Sequence, residues 1–372
     1  MSSDTKADTT IANNDVVTKY KAAADVTNAA IRKVLAACNE GAKILDLCKL
    51  GDAAVEAGLS TQYTKAKKLS KGLAYPTSVS VNNVVCHFAP LESDPGADKT
   101  LQAGDVVKVQ IGAHIDGYAA VAGNTVVVGS SEANPVTGKA ADAIAAAHYA
   151  AETIQRMLKP GNKNMVVTDH VQKVVESFGC KPIEGMLCHE QKKDVLDGEK
   201  QIILNPNPEQ RKQFQACEFN EHEVYLVDVF VTSGDGRTKQ SELRTTIYKK
   251  TGTNYKLKMQ SRASFGSFPF SLRACEDVRK IRMGLIECCK MNVVQAYDVF
   301  EDRPSEVVAQ VTFTALVTPN GVTRITQGLA FDEKVIKTDK KIEDKDALAL
   351  LATSTKINKK KAKKTKAKTE SA

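Results

Sequence analysis

Apolar side chains alternate along "KVQIGAHIDGYAAVAG", residues 108–123, around the dipeptide Asp116-Gly117. That spacing predicts a β-hairpin with those two residues in the turn. Ile115 then faces Tyr118, Gln110 faces Gly123, and Val121 lies diagonally from Gln110 on the same face, because residues two apart on a strand share a face. Helical spacing governs other stretches. "VVTKYKAAADVTNAAIRKVLAACNEG" predicts an amphipathic helix closed by Gly41, with a second helix near 42–57. "ADAIAAAHYAAETIQRMLKPG" places apolar residues at 144, 147, 151, 154 and 158, a helix stopped by Pro160-Gly161. "MVVTDHVQKVVESFG" predicts another, closed by Gly179. Strand-like runs are "AYPTSVSVNNVVCHFAP", "EVYLVDVFVTSGDG" and "EVVAQVTFTALVTPNGVTRITQG", the last with a Pro-Asn-Gly turn.

Between the last two runs lies a stretch of different character. "SLRACEDVRKIRMGLIECCKMN" has apolar residues at 278, 281, 285, 286 and 289, which predicts a helix inside an insertion. The expected fold is α+β, with helices on one face of a mainly antiparallel sheet. Expected segments are a flexible N-terminal arm (1–14), a main domain (15–236 and 304–340), an inserted subdomain (237–303) and a C-terminal segment (341–372).

Composition changes this picture little, but charge changes it much. The chain has 372 residues and is 42% hydrophobic, enough to bury a core. No apolar run approaches the roughly 18 residues of a membrane span. The first residues, polar throughout, show no signal or transit pattern. Nine cysteines with no C-x-x-C spacing predict free thiols rather than a disulfide framework or zinc site. The formal charge is +8, yet residues 351–372 hold eight lysines against one Glu, leaving 44 bases and 43 acids elsewhere. Lys359, Lys360, Lys361, Lys363 and Lys364 sit in this low-complexity tail. Without apolar periodicity the tail is expected to be disordered when free, and to serve nucleic-acid attraction or nuclear targeting. Residues 244–282 carry ten bases against Glu276 and Asp277, among them Lys249, Lys250, Lys256, Lys258, Arg262, Arg279, Lys280 and Arg282. Tyr248, Tyr255, Phe265, Phe268 and Phe270 are interleaved with them. Cations that reach phosphates and rings that stack on bases make this an expected RNA surface.

The motifs "SVNNVVCHFAP", "GDVVKVQIGAHIDGY", "PIEGMLCHE", "DGEKQIILNP", "EVYLVDVFVTSGDG", "RTTIYKK" and "PNGVTRIT" together resemble the proliferation-associated (ErbB-receptor-binding) protein family. That family is similar to type II methionine aminopeptidases. The resemblance implies the pita-bread fold with an inserted helical subdomain. The peptidases hold two divalent metals with two Asp, one His and two Glu. Carried over position by position, the Asp pair falls on Gln110 and Val121, the His on Met186, and the Glu pair on Asp228 and Thr312. His87 matches a substrate-contacting His of the peptidases.

A shell with one shortened carboxylate and neutral oxygens cannot offset two buried cations. No metal or cofactor and no enzyme activity is therefore expected. The resemblance further implies structured RNA, ribosomal RNA and the large ribosomal subunit as partners, in translation, ribosome production and growth control. It implies a cytoplasmic and nuclear or nucleolar monomer with no membrane partner, and a dead pocket open to protein partners. Three alternatives stand beside this reading. A relocated metal site from His114, Asp116, His189 and Asp228 competes with a turn role for Asp116. Residual peptidase activity is the second. The third is a co-regulator role, which would use an L-x-x-L-L helix, whereas "ALALL" (347–351) lacks the first Leu.

Overall fold

The computed structural model describes residues 8–66, 68–253, 266–275 and 277–356. Helices α1 (Asn14–Ala37) and α2 (Ile44–Ser60) open the chain, followed by β1 (Lys71–Val81), β2 (Val84–Cys86), β3 (Val106–Ile115) and β4 (Tyr118–Val127). Next come α3 (Gly138–Met157), α4 (Asn164–Glu176), β5 (Lys181–Pro182), β6 (Leu187–Gln191), β7 (Gln201–Ile203), α5 (Pro208–Gln213) and β8 (Val224–Thr232). The chain then leaves the main sheet through β9 (Lys239–Gln240), β10 (Ile247–Lys250), β11 (Phe270–Ser271), α6 (Val278–Lys290), β12 (Val294–Tyr297) and β13 (Phe300–Glu301). It returns as β14 (Val308–Thr318) and β15 (Gly321–Arg324), and α7 (Lys345–Leu351) follows.

Among the described residues the main sheet has nine strands, along the path β1-β3-β4-β14-β8-β6-β7, with β15 on β14 and β5 on β8. Every pairing in it is antiparallel. The β3–β4 turn works as the sequence predicts. Asp116 (φ 55°) and Gly117 (φ 81°) both occupy the left-handed region that a two-residue hairpin turn requires. The Asp116 carboxylate is tied to Lys19 at 2.6 Å and Lys193 at 3.3 Å. Pro76 of β1 lies where the pairing with β3 slips between Tyr75 and Ser78, a place where a residue without N–H is tolerated.

The alternation along the strands decides the two faces. Val107, Val109, Ile111, Ala113 and Ile115 point to a core closed by α1 and α2. Val227, Val229, Val231, Val311, Phe313 and Ala315 point to a second core under α3 and α4. Ala119, Val121 and Leu226 point the other way and meet Tyr75, Ile247 and Phe268, so the inserted segment covers that face.

Three expectations need correction. Residues 8–13 are not a loose arm, since Ile11 is buried with Val16 and Tyr20, and Asn13 caps α1 by accepting from the Asp15 N–H at 3.0 Å. The insertion is more than helical. It sets α6 beside a three-stranded sheet ordered β11-β10-β12. The helix begins only at Val278, and its buried stripe is Val278, Ile281, Leu285 and Cys288. Cys289 and Ile286, expected in that stripe, are exposed.

Candidate functional site

Strand register brings together three of the five positions that the family resemblance marks. Gln110 of β3 faces Gly123 of β4, Gly123 faces Thr312 of β14, and Thr312 faces Asp228 of β8. The residues form one row across four strands, on the face away from the long helices. Val121 lies in the next row, opposite Gly112. Gly123 has to lack a side chain, because a Cβ there would collide with the Thr312 hydroxyl.

The chemistry of the row is that of a donor cluster. Thr312 Oγ1 donates to Asp228 Oδ1 at 2.5 Å. Gln310 Nε2 donates to the same oxygen at 3.1 Å, and Gln110 Nε2 donates to Oδ2 at 3.3 Å. Two metals need several charged oxygens directed at them, and here one carboxylate is held by amide and hydroxyl protons while the other oxygens, including the unbonded Gln110 Oε1, are neutral. Burial pushes the Asp228 carboxyl up to about 6, against the three hydrogen bonds that favour its charged form. Gln110, Val121, Gln310 and Thr312 are buried. Tyr75, Ile247 and Phe268 pack with Val121 over the row, so a bound peptide would have to displace them.

The other marked residues are also absorbed into structure. Met186 packs beside Cys86, Ile183 and Phe230. His87, with φ 66°, shares a hydrogen bond with the Tyr75 hydroxyl through Nδ1 at 2.5 Å and meets the Tyr297 ring edge-on. Burial pulls its pKa down to about 4, so it is neutral at ordinary pH. His114 stacks on Phe268 at 4.5 Å, and Asp116 is engaged by lysines. No group of His, Cys, Asp and Glu able to hold a metal occurs among the described residues.

Two members of this face escaped the sequence reading. Gln310 could have been found, since it precedes Thr312 by two residues on a strand. Lys108 precedes Gln110 in the same way. It is 1% exposed, donates to the Asn82 carbonyl at 2.8 Å, and burial pulls its pKa down to about 7.

The expected RNA surface is only partly as read. Lys249 does not face solvent. It lies in the central strand of the small sheet and pairs with Asp197. Arg273 pairs with Asp52 at 2.7 Å, and Arg244 pairs with Asp94. Phe268 is buried, and Tyr248 packs against Phe270, so none of these three rings is free to stack on a base. Lys250 and Arg279 are exposed and Arg282 is half-buried. Among the described residues none of the three has a salt-bridge partner. Lys256, Lys258, Arg262, Lys359, Lys360, Lys361, Lys363 and Lys364 lie outside the described residues, as does the side chain of Lys280. The "ALALL" stretch is helical, but Ala347 is buried and Leu350 packs on the core, so the helix is docked on its own chain.

Sheet and helices define the pita-bread scaffold, the fold also of a methionine aminopeptidase from Thermotoga maritima. The chain belongs to metallopeptidase family M24, which matches residues 18–234, and within it to the proliferation-associated, ErbB-3-binding group. It is 44% identical to the curved DNA-binding protein of Schizosaccharomyces pombe, over 97% of each chain. It is 40% identical to ERBB-3 binding protein 1 of Solanum tuberosum, over 92% of this chain and 89% of the relative. The structure of a thermophilic Arx1 superposes with a TM-score of 0.87 at 32% identity, covering 93% of this chain and all of that one.

Proposed function

We propose that the chain acts without catalysis, as an RNA- and ribosome-associated protein in translation, ribosome production and growth control, in the cytoplasm and nucleolus. The observation that carries the non-enzymatic part is the convergence of Gln110, Gln310 and Thr312 as donors on Asp228. A centre built this way holds one carboxylate with three neutral donors, and the oxygens left over, such as the unbonded Gln110 Oε1, carry no charge to offset two cations. The nucleic-acid part is supported by Lys250, Arg279 and Arg282 on the insertion, by the lysine-rich tail, and by the DNA-binding name of one relative. Cations on a folded platform give phosphates a fixed spacing to recognise, while a lysine run adds attraction without geometry.

A scaffold role has one observation in its favour. On α6 the exposed Met283 and Ile286 stand beside Arg279 and Arg282, a mixture also suited to a protein partner. Two measurements separate the readings. Release of Met from peptides is assayed with cobalt or manganese, and co-sedimentation with large ribosomal subunits is compared before and after RNase treatment of the lysate. No turnover and RNase-sensitive co-sedimentation are expected. Metal-dependent turnover overturns the non-enzymatic reading, and association that survives RNase favours the protein partner.

A further inference from the structure

The helix-covered side of the same sheet holds a cavity of about 420 Å³, bounded by α3, β4, β14 and the segment 327–336. That is within the roughly 300–1,000 Å³ typical of small-molecule sites. Arg324, at the end of β15, is its charged wall. The guanidinium lies over the Phe313 ring, 4.3 Å from its centroid, and Nε donates to the Thr326 carbonyl at 3.0 Å. Among the described residues no carboxylate lies within salt-bridge reach of Arg324, and no acceptor is bonded to its two Nη atoms. Glu152 lines the same cavity, but its carboxylate is bound by Arg156 Nη1 at 2.5 Å. Burial pulls the Arg324 pKa down to about 10, against the attraction of the Glu152 carboxylate, which lies too far away to pair with it directly.

The remaining wall is mixed, with Ile144, Ala147, Val311 and Phe331 set among polar residues such as Asn124, Thr125 and Gln327. Phe331 is held by stacking on His148 at 4.3 Å and 9°. Burial pulls the His148 pKa down, so Arg324 supplies the standing positive charge there. A fork of two free N–H-bearing atoms suits a carboxylate. Glu152 and Asp332 on the same cavity oppose a dianion, which one guanidinium cannot offset.

We propose that this cavity binds a small monocarboxylate, its head on the Nη atoms of Arg324 and its apolar body against Ile144, Ala147 and Val311. The site opens on the other face of the sheet from the substituted centre, although Gln310 of β14 borders both. Calorimetric titration of the full chain with octanoate tests it, with octan-1-ol and octyl phosphate as comparators. Octanoate is expected to bind saturably, at one per chain, and more tightly than either comparator. Arg324→Met keeps the contact with Phe313 and should weaken octanoate about tenfold or more, with octan-1-ol unaffected. Ala147→Phe should fill the cavity and abolish binding, with the melting curve of each variant recorded alongside. Absence of saturable octanoate binding at millimolar concentration overturns the proposal. Equal affinity in Arg324→Met, or octan-1-ol or octyl phosphate binding as tightly as octanoate, also overturns it.

Discussion

The row from Gln110 to Asp228 and the outer surface of the insertion both concentrate polar side chains, and they treat water in opposite ways. In the row, every polar group that approaches Asp228 is a neutral donor, and the cluster is closed by Tyr75, Val121 and Phe268. On the insertion, the cations that found carboxylates have turned inward, as Lys249 did to Asp197, and those that did not are presented outward, as Lys250 is. Two consecutive residues of one strand therefore belong to different parts of the protein's chemistry. Changes in the row should move stability, whereas changes on the outer surface should move binding.

The largest effect is expected from putting the acids back. Gln110→Asp combined with Thr312→Glu places two more carboxylates beside Asp228 in a buried site. Each disfavours ionisation of the others, and the unpaired charge costs about 3 to 5 kcal/mol. In chelator the double variant should unfold at markedly lower denaturant. Manganese or cobalt should restore part of the loss by binding the folded state. Denaturation with and without metal checks this, and identical curves would show that the row is not a latent ligand shell.

Asp228→Asn tests the same row in the opposite direction. Asp228 has a folded pKa of about 6 against an ordinary carboxyl value of 3.8. An acid with a raised pKa binds its proton more tightly in the native than in the unfolded chain, so stability falls as pH rises from about 4 to about 6. The shift, already net of the three hydrogen bonds to the charged form, corresponds to about 3 kcal/mol. Asn keeps one acceptor oxygen for Thr312 or Gln310. The variant should gain about 1 to 2 kcal/mol at pH 8 and nothing at pH 4, measured as the pH dependence of unfolding free energy. A gain of the same size at both ends would mean that packing, not titration, is responsible.

Lys249→Glu against Lys250→Glu sharpens the contrast within one strand. The first sets two carboxylates against each other near Asp197 and should cost about 1 to 2 kcal/mol. The second lies on the exposed side and should stay within about 0.5 kcal/mol of wild type. Combined with Arg279→Glu and Arg282→Glu, Lys250→Glu should remove co-sedimentation with large ribosomal subunits while leaving the melting curve in place. A triple variant that melts normally and sediments like wild type would exclude this surface.

Where the chain's own spacing carries the information, the sequence was enough. The β3–β4 hairpin and its register follow from alternation and from a turn that only residues such as Asp116 and Gly117 adopt readily. The convergence of Gln110, Thr312 and Asp228 was legible only through the family resemblance, because three distant strands supply it. Non-local pairing hid the inward turn of Lys249, since Asp197 is 52 residues away. The same limit made Phe268 look like a base-stacking ring when its partner is His114. On α6, Ile286 and Cys289 fit helical spacing as well as Cys288 does, and only the position of the neighbouring strands decides that Cys288 packs with Leu285 and Val294.

The smallest effect on the fold, and a clear one on binding, is expected from removing the tail at the right place. Residues before 357 take part in the structure. The Val322 N–H donates to the Thr355 carbonyl at 3.0 Å, Gly321 pairs with Lys356, and Arg156 Nε donates to the Thr353 carbonyl at 3.1 Å. A cut at 352 would strip partners from β15 and from α3, and would mix a stability loss into any binding result. A cut after Lys356 removes seven lysines and one Glu while leaving those hydrogen bonds in place. The melting temperature should then be unchanged. Each lysine that neutralises a phosphate adds about 0.7 to 0.9 to the slope of log affinity against log salt. RNA binding by the truncated chain should therefore lose up to about 5 to 6 units of slope, and should keep the preference set by Lys250, Arg279 and Arg282. The check is a salt titration of binding to one structured RNA and to a homopolymer, for the full and truncated chains. If the slope is unchanged the tail makes no phosphate contact, and if the preference between the two RNAs disappears it was the tail, not the folded insertion, that distinguished them.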